Sequence, residues 1–460
     1  MKEYDLIIIG SGSGNSVITP DHDQWKIAIV EKGVFGGTCL NRGCIPSKML
    51  VHVADTVTQI VDSHLLGINA QVTEVHWEDI RKRIFSRIDH IATGGRDYRE
   101  NLPHVDVYNG HAKFTGPNTV KIGETQIYGR QIVIATGATP HTPEIDGLEA
   151  SGFHTSDTIM RVDAIPERLT IIGGGYIACE MAHIFSGLGA DVTMVVRGPK
   201  LLRFEDQEIS KRFTDIFGDK VTLHLNATVE KMSRNEIGNL NLLCHSNHDL
   251  FDFDSNEVLI ATGRTPSTSG MDLESVGIEI QSGYIVTNEH MRTSLPHVWA
   301  LGDVTNPNQL KHTANAEARA VSNNLTFPDS LIAVDLDPIP HAVFTNPQVA
   351  SVGSTEQELQ ALSADYIVAI QEYSEIAYGW ALEDSSSFCK LIADPSTGYL
   401  LGAHIVGPQA STLIHQLIQG MKFNRTVHEL ASDFLYIHPA LNEVIENALL
   451  KASNACSQGR

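Results

Sequence analysis

The sequence predicts an α/β fold of two units built on parallel sheets with helices, followed by a C-terminal α+β domain. Three observations predict it: short continuous aliphatic runs that end in glycine, a glycine-rich strand-to-helix turn that occurs twice, and a change of texture near Leu336. At 460 residues the chain is too long for one ordinary core, and its 42% hydrophobic and 19% charged residues are those of a globular protein.

The runs Leu6–Ile9, Ile27–Glu31, Gln131–Ala135, Leu169–Gly173, Val192–Val196 and Glu257–Ala261 are apolar at successive positions rather than alternating. They read as parallel strands covered on both faces. Two of them end in nearly the same phrase, Ala135-Thr-Gly-Ala-Thr-Pro140 and Ala261-Thr-Gly-Arg-Thr-Pro266, each well downstream of a glycine-rich turn, so the two units are related. The first unit is expected over 1–150, completed by about 271–335, and the second over 151–270. From Leu336 a proline-rich entry (Pro338, Pro340, Pro347) leads to the strand Cys389–Ala393 and an amphipathic helix around Ser411–Met421. That segment, 336–460, has no glycine-rich turn and is expected to contribute surface and side chains.

The first turn, Gly10-Ser-Gly12-Ser-Gly14-Asn15, follows a strand, precedes an expected helix and has Glu31 at the end of the next strand. Glycines let backbone approach a pyrophosphate at a helix N-terminus, and the acid accepts hydrogen bonds from an adenosine ribose. Asn15 stands where a third glycine or alanine is usual, which predicts slightly looser packing of helix on strand. The second turn, Gly173-Gly-Gly175-Tyr176-Ile-Ala178, fits the fingerprint throughout. After its second strand come Arg197, Lys200 and Arg203 instead of an acid. A solvated basic loop would carry the same residues, but at this position they suit a 2′-phosphate and favour NADPH over NADH.

Cys39 and Cys44 lie within Gly36-Gly-Thr38-Cys39-Leu-Asn-Arg42-Gly-Cys44-Ile-Pro-Ser-Lys48. An ideal helix would hold them too far apart for a disulfide, so Asn41–Gly43 must distort the backbone. Pro46 suits a first helical turn, where a nearby thiolate is stabilised. Six cysteines are too few for a disulfide-stapled scaffold, and a zinc site would need a second pair, so no metal centre is expected. Cys179, Cys244 and Cys389 read as core residues, and Cys456 stands alone in the tail. Near the C-terminus, His438-Pro-x-x-x-Glu443 places a carboxylate behind a histidine, the side chain suited to protonating a leaving thiolate near neutral pH.

The formal net charge of -22, from 33 basic and 55 acidic residues, would repel nucleic acid and anionic membrane. No apolar run approaches the roughly twenty residues of a membrane helix, and Leu6–Ile9 is too short for a signal peptide core. A cytoplasmic location is expected.

The Gly36–Lys48 string resembles the family of glutathione reductase, dihydrolipoamide dehydrogenase and mercuric reductase. The resemblance spans nearly the whole chain through Gly110-His111-Ala112, Ala135-Thr136-Gly137, Gly173–Glu180, Ala261–Arg264, Ala300-Leu-Gly302-Asp303 and His438–Glu443. It implies FAD on the first unit, held by Gly10, Gly12, Gly14, Glu31, Thr38, His111, Ala112, Thr136, Gly137, Gly302 and Asp303. It implies NADPH on the second, held by Gly173, Gly175, Arg197, Arg203, Gly263 and Arg264, with Tyr176 gating the nicotinamide pocket. Cys44 would be the flavin-proximal thiolate and Cys39 the thiol that attacks a small-molecule disulfide. Lys48 would lie near the flavin, paired with Glu180. His438, backed by Glu443, would come from the other subunit of a homodimer whose interface is 336–460. Arg42 departs from the family pattern, in which valine is more usual.

Overall fold

The computed structural model describes residues 1–236, 238–246 and 249–458. The first unit is a seven-stranded sheet in which Val105–Asn109, Ile27–Glu31, Lys2–Ile9 and Thr125–Ile134 run parallel side by side. An antiparallel pair, Thr119–Ile122 and Ala112–Gly116, extends one edge. Val298–Ala300 returns from far downstream to pair in parallel with Thr125–Ile134. The second unit is a four-stranded parallel sheet in the order Thr222–Leu225, Asp191–Val196, Arg168–Ile172 and Glu257–Ile260. Every one of the six aliphatic runs is a strand, and Leu6, Ile7, Ile8, Ile27 and Ile29 are fully buried, as expected of strands covered on both faces.

Two glycines show why the units repeat. Gly10 has φ +107°, and a Cβ there would sit 2.3 Å from the carbonyl oxygen of Ala135. Gly173 has φ +135°, with its Cβ 2.3 Å from the carbonyl oxygen of Ala261. The glycine turn and the Ala-Thr-Gly phrase are therefore two halves of one contact, made once in each unit.

The turns then diverge. After Gly173–Gly175 the chain enters the buried helix Tyr176–Gly187, whereas after Gly10–Gly12 it makes only 3₁₀ turns, Ser13–Val17 and Pro20–His22. The helix expected there is absent, because the short link back to Ile27 contains Pro20 and capping residues, which end a helix before it can lengthen. Nor is the packing loose. Gly14 takes the close position, where a Cβ would meet the Ala135 Cβ at 2.7 Å, and Asn15 instead turns outward to accept from Arg99 Nε at 2.8 Å.

The C-terminal segment is a five-stranded antiparallel sheet, His341–Val343, Gln348–Gly353, Leu400–Gly407, Phe388–Ala393 and Ile367–Glu372, covered by helices Ala410–Lys422 and Asn442–Gln458. It is fastened to the second unit by Lys390, whose buried ammonium reaches Asp206 at 3.0 Å, Glu208 at 2.6 Å and Glu356 at 2.5 Å. Among the described residues no helix is long and apolar enough to cross a membrane.

Candidate active site

Both glycine turns open onto one cavity of about 1930 Å³. Single-ligand pockets hold about 300–1,000 Å³, so this one has room for more than one large molecule. Cys39 and Cys44 lie in its wall at the junction of two helices, α1 (Gly37–Arg42) and α2 (Cys44–Asp62). Gly43 breaks the helix between them with φ -138° and ψ -122°, the distortion that the five-residue spacing requires. A Cβ on Gly43 would stand 3.3 Å from Cys39 Cα and 3.1 Å from the Thr38 carbonyl oxygen, so the missing side chain lets α2 start against α1.

In this structure both cysteines are thiols, Cys39 half-buried and Cys44 exposed to the cavity. They hydrogen-bond to each other, which makes the first proton easy to lose and the second hard. The bond from Cys44 is the main reason the Cys39 thiol is pulled down to about 7, with burial opposing and Lys311 assisting. Cys44 is pushed up by the same bond and by burial. The pair therefore gives up its first proton more readily than its second.

Most of the residues expected around FAD line this cavity. Gly37 would place a Cβ 2.6 Å from Gly12 Cα, so the two backbones touch beneath the turn. The Glu31 carboxylate is held by Ser11 N at 2.9 Å, Ser11 Oγ at 2.6 Å and Gly33 N at 2.8 Å, which aims an acid into the cavity edge. Thr38, His111, Ala112, Thr136, Gly137, Gly302 and Asp303 all line the wall. Burial raises the Asp303 carboxyl above its ordinary range. Asp157 Oδ1 and Ser267 Oγ, both in lining residues, are buried without a hydrogen-bond partner. Unpaired buried polar atoms are costly, so these fit a polar ligand such as a flavin dinucleotide. Arg42, the departure from the family string, donates to Asp157 Oδ2 at 3.0 Å and thereby ties α1 to the start of the second unit.

The same cavity is lined by Gly173, Gly175, Tyr176, Gly263, Arg264, Arg197, Lys200 and Arg203. Among the described residues no carboxylate forms an ion pair with Arg197, Lys200 or Arg203 within 4 Å, leaving a cluster of uncompensated cations where a phosphate would be welcome. Tyr176 stands in the cavity with its hydroxyl pushed up to about 12, mainly by desolvation.

Lys48 and Glu180 do not form the expected ion pair. The Lys48 ammonium lies 4.1 Å from the Phe344 ring centroid, and Glu180 instead accepts from the Phe344 backbone N–H at 3.0 Å. Phe344, which no motif singled out, contacts both. Burial raises Glu180 to about 7, against the Phe344 hydrogen bond and the Lys48 charge, and lowers Lys48. The cost of keeping a buried carboxylate charged has outweighed the attraction.

His438 and Glu443 are in contact through His438 Nδ1 and Glu443 Oε1, but they do not line the cavity. The His438 side chain is 72% exposed and Glu443 is buried beneath it at the start of helix Asn442–Gln458. Phe434, Leu435 and Ile437, just before the histidine, are exposed large apolar residues. Gly14 and Lys48 are also not among the residues of the cavity wall.

Sequence reading also missed Glu317. From helix Lys311–Thr326 it accepts from Gly302 N at 2.5 Å and from Asn306 Nδ2 at 2.9 Å, fixing the turn that presents Asp303. Nothing near it in the sequence resembles a site.

The chain matches the family model described as pyridine nucleotide-disulphide oxidoreductase over residues 4–320, and the dimerisation domain of the same family over 339–449. It is 44% identical to the mycothione reductase of Mycobacterium tuberculosis, with 98% of this chain and 99% of that protein covered. It is 33% identical to a glutathione reductase of Burkholderia cepacia over 96% of this chain and 97% of that one. A solved structure of RclA, an HOCl-induced flavoprotein disulfide reductase from Escherichia coli in complex with Cu(II), superimposes with a TM-score of 0.86 at 27% identity, covering 98% and 99% of the two chains.

Proposed function

The chain belongs to the pyridine nucleotide-disulphide oxidoreductases, a family that works with FAD and NAD(P)H, and from that membership we propose that it is an NADPH-dependent flavoprotein that reduces mycothiol disulfide to mycothiol. The observation that carries the reading is the placement of the Cys39–Cys44 thiol pair in one cavity with both glycine turns. The preference for NADPH is supported by Arg197, Lys200 and Arg203, which line the cavity without a carboxylate partner among the described residues. The preference for mycothiol disulfide is supported by 44% identity along the full length of both chains, and by the resemblance of Gly10–Ser16 and His438–Leu450 to mycothione reductase.

FAD, held by the first glycine turn and the residues around Glu31, Thr38 and Asp303, would supply the electrons that keep the cysteine pair reduced. The chain's own residues do the rest. Cys39, as thiolate, attacks one sulfur of the substrate disulfide, forming a mixed disulfide and expelling the first product thiolate. His438 of the partner subunit, oriented by Glu443 behind it, gives that thiolate its proton. Cys44 then attacks Cys39, forming the intramolecular disulfide and releasing the second thiol. The substrate gains two electrons and the cysteine pair loses two. A glutathione-type reductase, or an NAD-linked dihydrolipoamide dehydrogenase, is the alternative that the same thiol pair would serve.

The test is NADPH oxidation with mycothiol disulfide and glutathione disulfide side by side, repeated with a Cys39→Ser variant. Rapid turnover of mycothiol disulfide alone, lost in Cys39→Ser while NADPH still bleaches the flavin, is the expected result. Preference for glutathione disulfide overturns the substrate, a faster response to NADH overturns the nicotinamide, and normal turnover by Cys39→Ser overturns the order of the thiols.

A further inference from the structure

The cations that the sequence motifs supply do not explain the charge at the thiols. Lys48 faces Phe344 and Arg42 faces Asp157. The cation that acts on Cys39 and Cys44 alike is Lys311, the first residue of helix Lys311–Thr326. Its ammonium donates to Ser13 Oγ at 2.9 Å, inside the first glycine turn, and it lines the same cavity as both thiols and Asp303. Among the described residues no carboxylate lies within ion-pair distance of it, although its charge also acts on the Asp303 carboxyl across the cavity. The helix that carries it is pinned at two places. Glu317 holds Gly302 from its middle, and Thr326 contacts His22 at 3.3 Å at its finish.

Resting on the disulfide-reductase reading above, we propose that Lys311 is the charge-holding residue of the thiol centre: a fixed ammonium that keeps the reduced Cys39–Cys44 pair anionic and ready to attack. The other charged groups around the pair work against an anion or are balanced elsewhere. Asp303, from the turn Gly302–Val304, opposes ionisation of Cys39. Glu180 and Tyr176, from helix Tyr176–Gly187, would add like charge, and Arg264 acts on Tyr176 and Asp303 rather than on the sulfurs. Lys311 is thus a positioning residue that works through the cysteines.

The experiment compares the unsubstituted holoenzyme with Lys311→Met and Lys311→Arg. Each is reduced anaerobically by two electrons, and the long-wavelength absorbance that a thiolate produces beside oxidised flavin is followed against pH. Lys311→Met is expected to raise the midpoint by about one pH unit, a roughly tenfold loss of thiolate at a given pH, and Lys311→Arg to restore it. An unchanged midpoint with weakened FAD binding would mean that Lys311 only anchors the cofactor, and overturns the proposal. Should Lys311→Met fail to retain FAD, the pH dependence of thiol alkylation in flavin-free protein, substituted and unsubstituted, decides the matter: equal midpoints overturn it and a raised one supports it. Absence of any thiolate band in the unsubstituted holoenzyme would instead remove the reading on which the proposal stands.

Discussion

Glu317 shows how one side chain can set a pH dependence that no motif announces. Burial raises its carboxyl to about 7, from an ordinary value of 4.5, even though Gly302 N–H donates to it. A carboxyl whose folded value is raised contributes stability that is fully present below the unfolded value and is lost as pH rises through the folded one. Between about pH 4.5 and 7 this residue therefore makes the protein less stable with each step upward, and Glu180, raised to about 7, acts in the same direction. A Glu317→Gln variant keeps an acceptor for Gly302 but has no proton to lose. Its thermal midpoint is expected to fall less steeply than the unsubstituted protein's from pH 5 to 7, and parallel curves would show that the carboxyl is not the titrating group. Glu317 could not be read from the sequence, since a glutamate on a helix face has no marked neighbours. Lys311 meets Ser13 across 298 residues of chain, a contact no local string reveals. Cys39 and Cys44 were legible for the opposite reason: their chemistry is written in contiguous residues.

At the scale of elements, strands were legible from unbroken aliphatic runs, and the duplicated Ala-Thr-Gly phrase announced the paired units because the same backbone contact is made twice. The helix expected after the first glycine turn failed because the fingerprint specifies the turn and not the length of the segment beyond it. The joint between the second unit and the C-terminal sheet was also invisible, being built of single charges from distant segments. Lys390 lies 1% exposed against Asp206, which is fully buried and caps helix Gln207–Gly218 through Glu208 N. Removing one member of a buried ionic cluster strands the others, at about 3–5 kcal/mol. Lys390→Met is expected to lose stability of that order and, if Arg203 binds NADPH as proposed, to raise KM for NADPH, because Asp206 follows closely on Arg203. Adding Asp206→Asn should recover part of the loss, a non-additivity read by thermal unfolding of the two single variants and the double one. Full additivity would show that the charges do not act as a unit.

At the scale of the molecule, one chain holds the thiols in its cavity and the histidine outside it, and this separation yields the sharpest test of how the assembly works. The dimerisation-domain match over 339–449 and the exposed apolar residues Phe434, Leu435 and Ile437 supply the surface on which two copies would meet. If His438 serves the partner's thiols, a dimer has two composite sites, each taking its cysteines from one chain and its histidine from the other. Cys39→Ser and His438→Ala homodimers should both be impaired, the second by about a hundredfold, the usual size of an acid-base contribution. A heterodimer of the two variants then has one site with both defects and one with neither. It is expected to turn over disulfide at about half the rate of the unsubstituted dimer, by the count of intact sites. Were each site built within a single chain, every site in that heterodimer would carry one defect and activity would stay at the level of the impaired parents. Differently tagged chains, co-expressed and purified for both tags, separate the two arrangements in one assay.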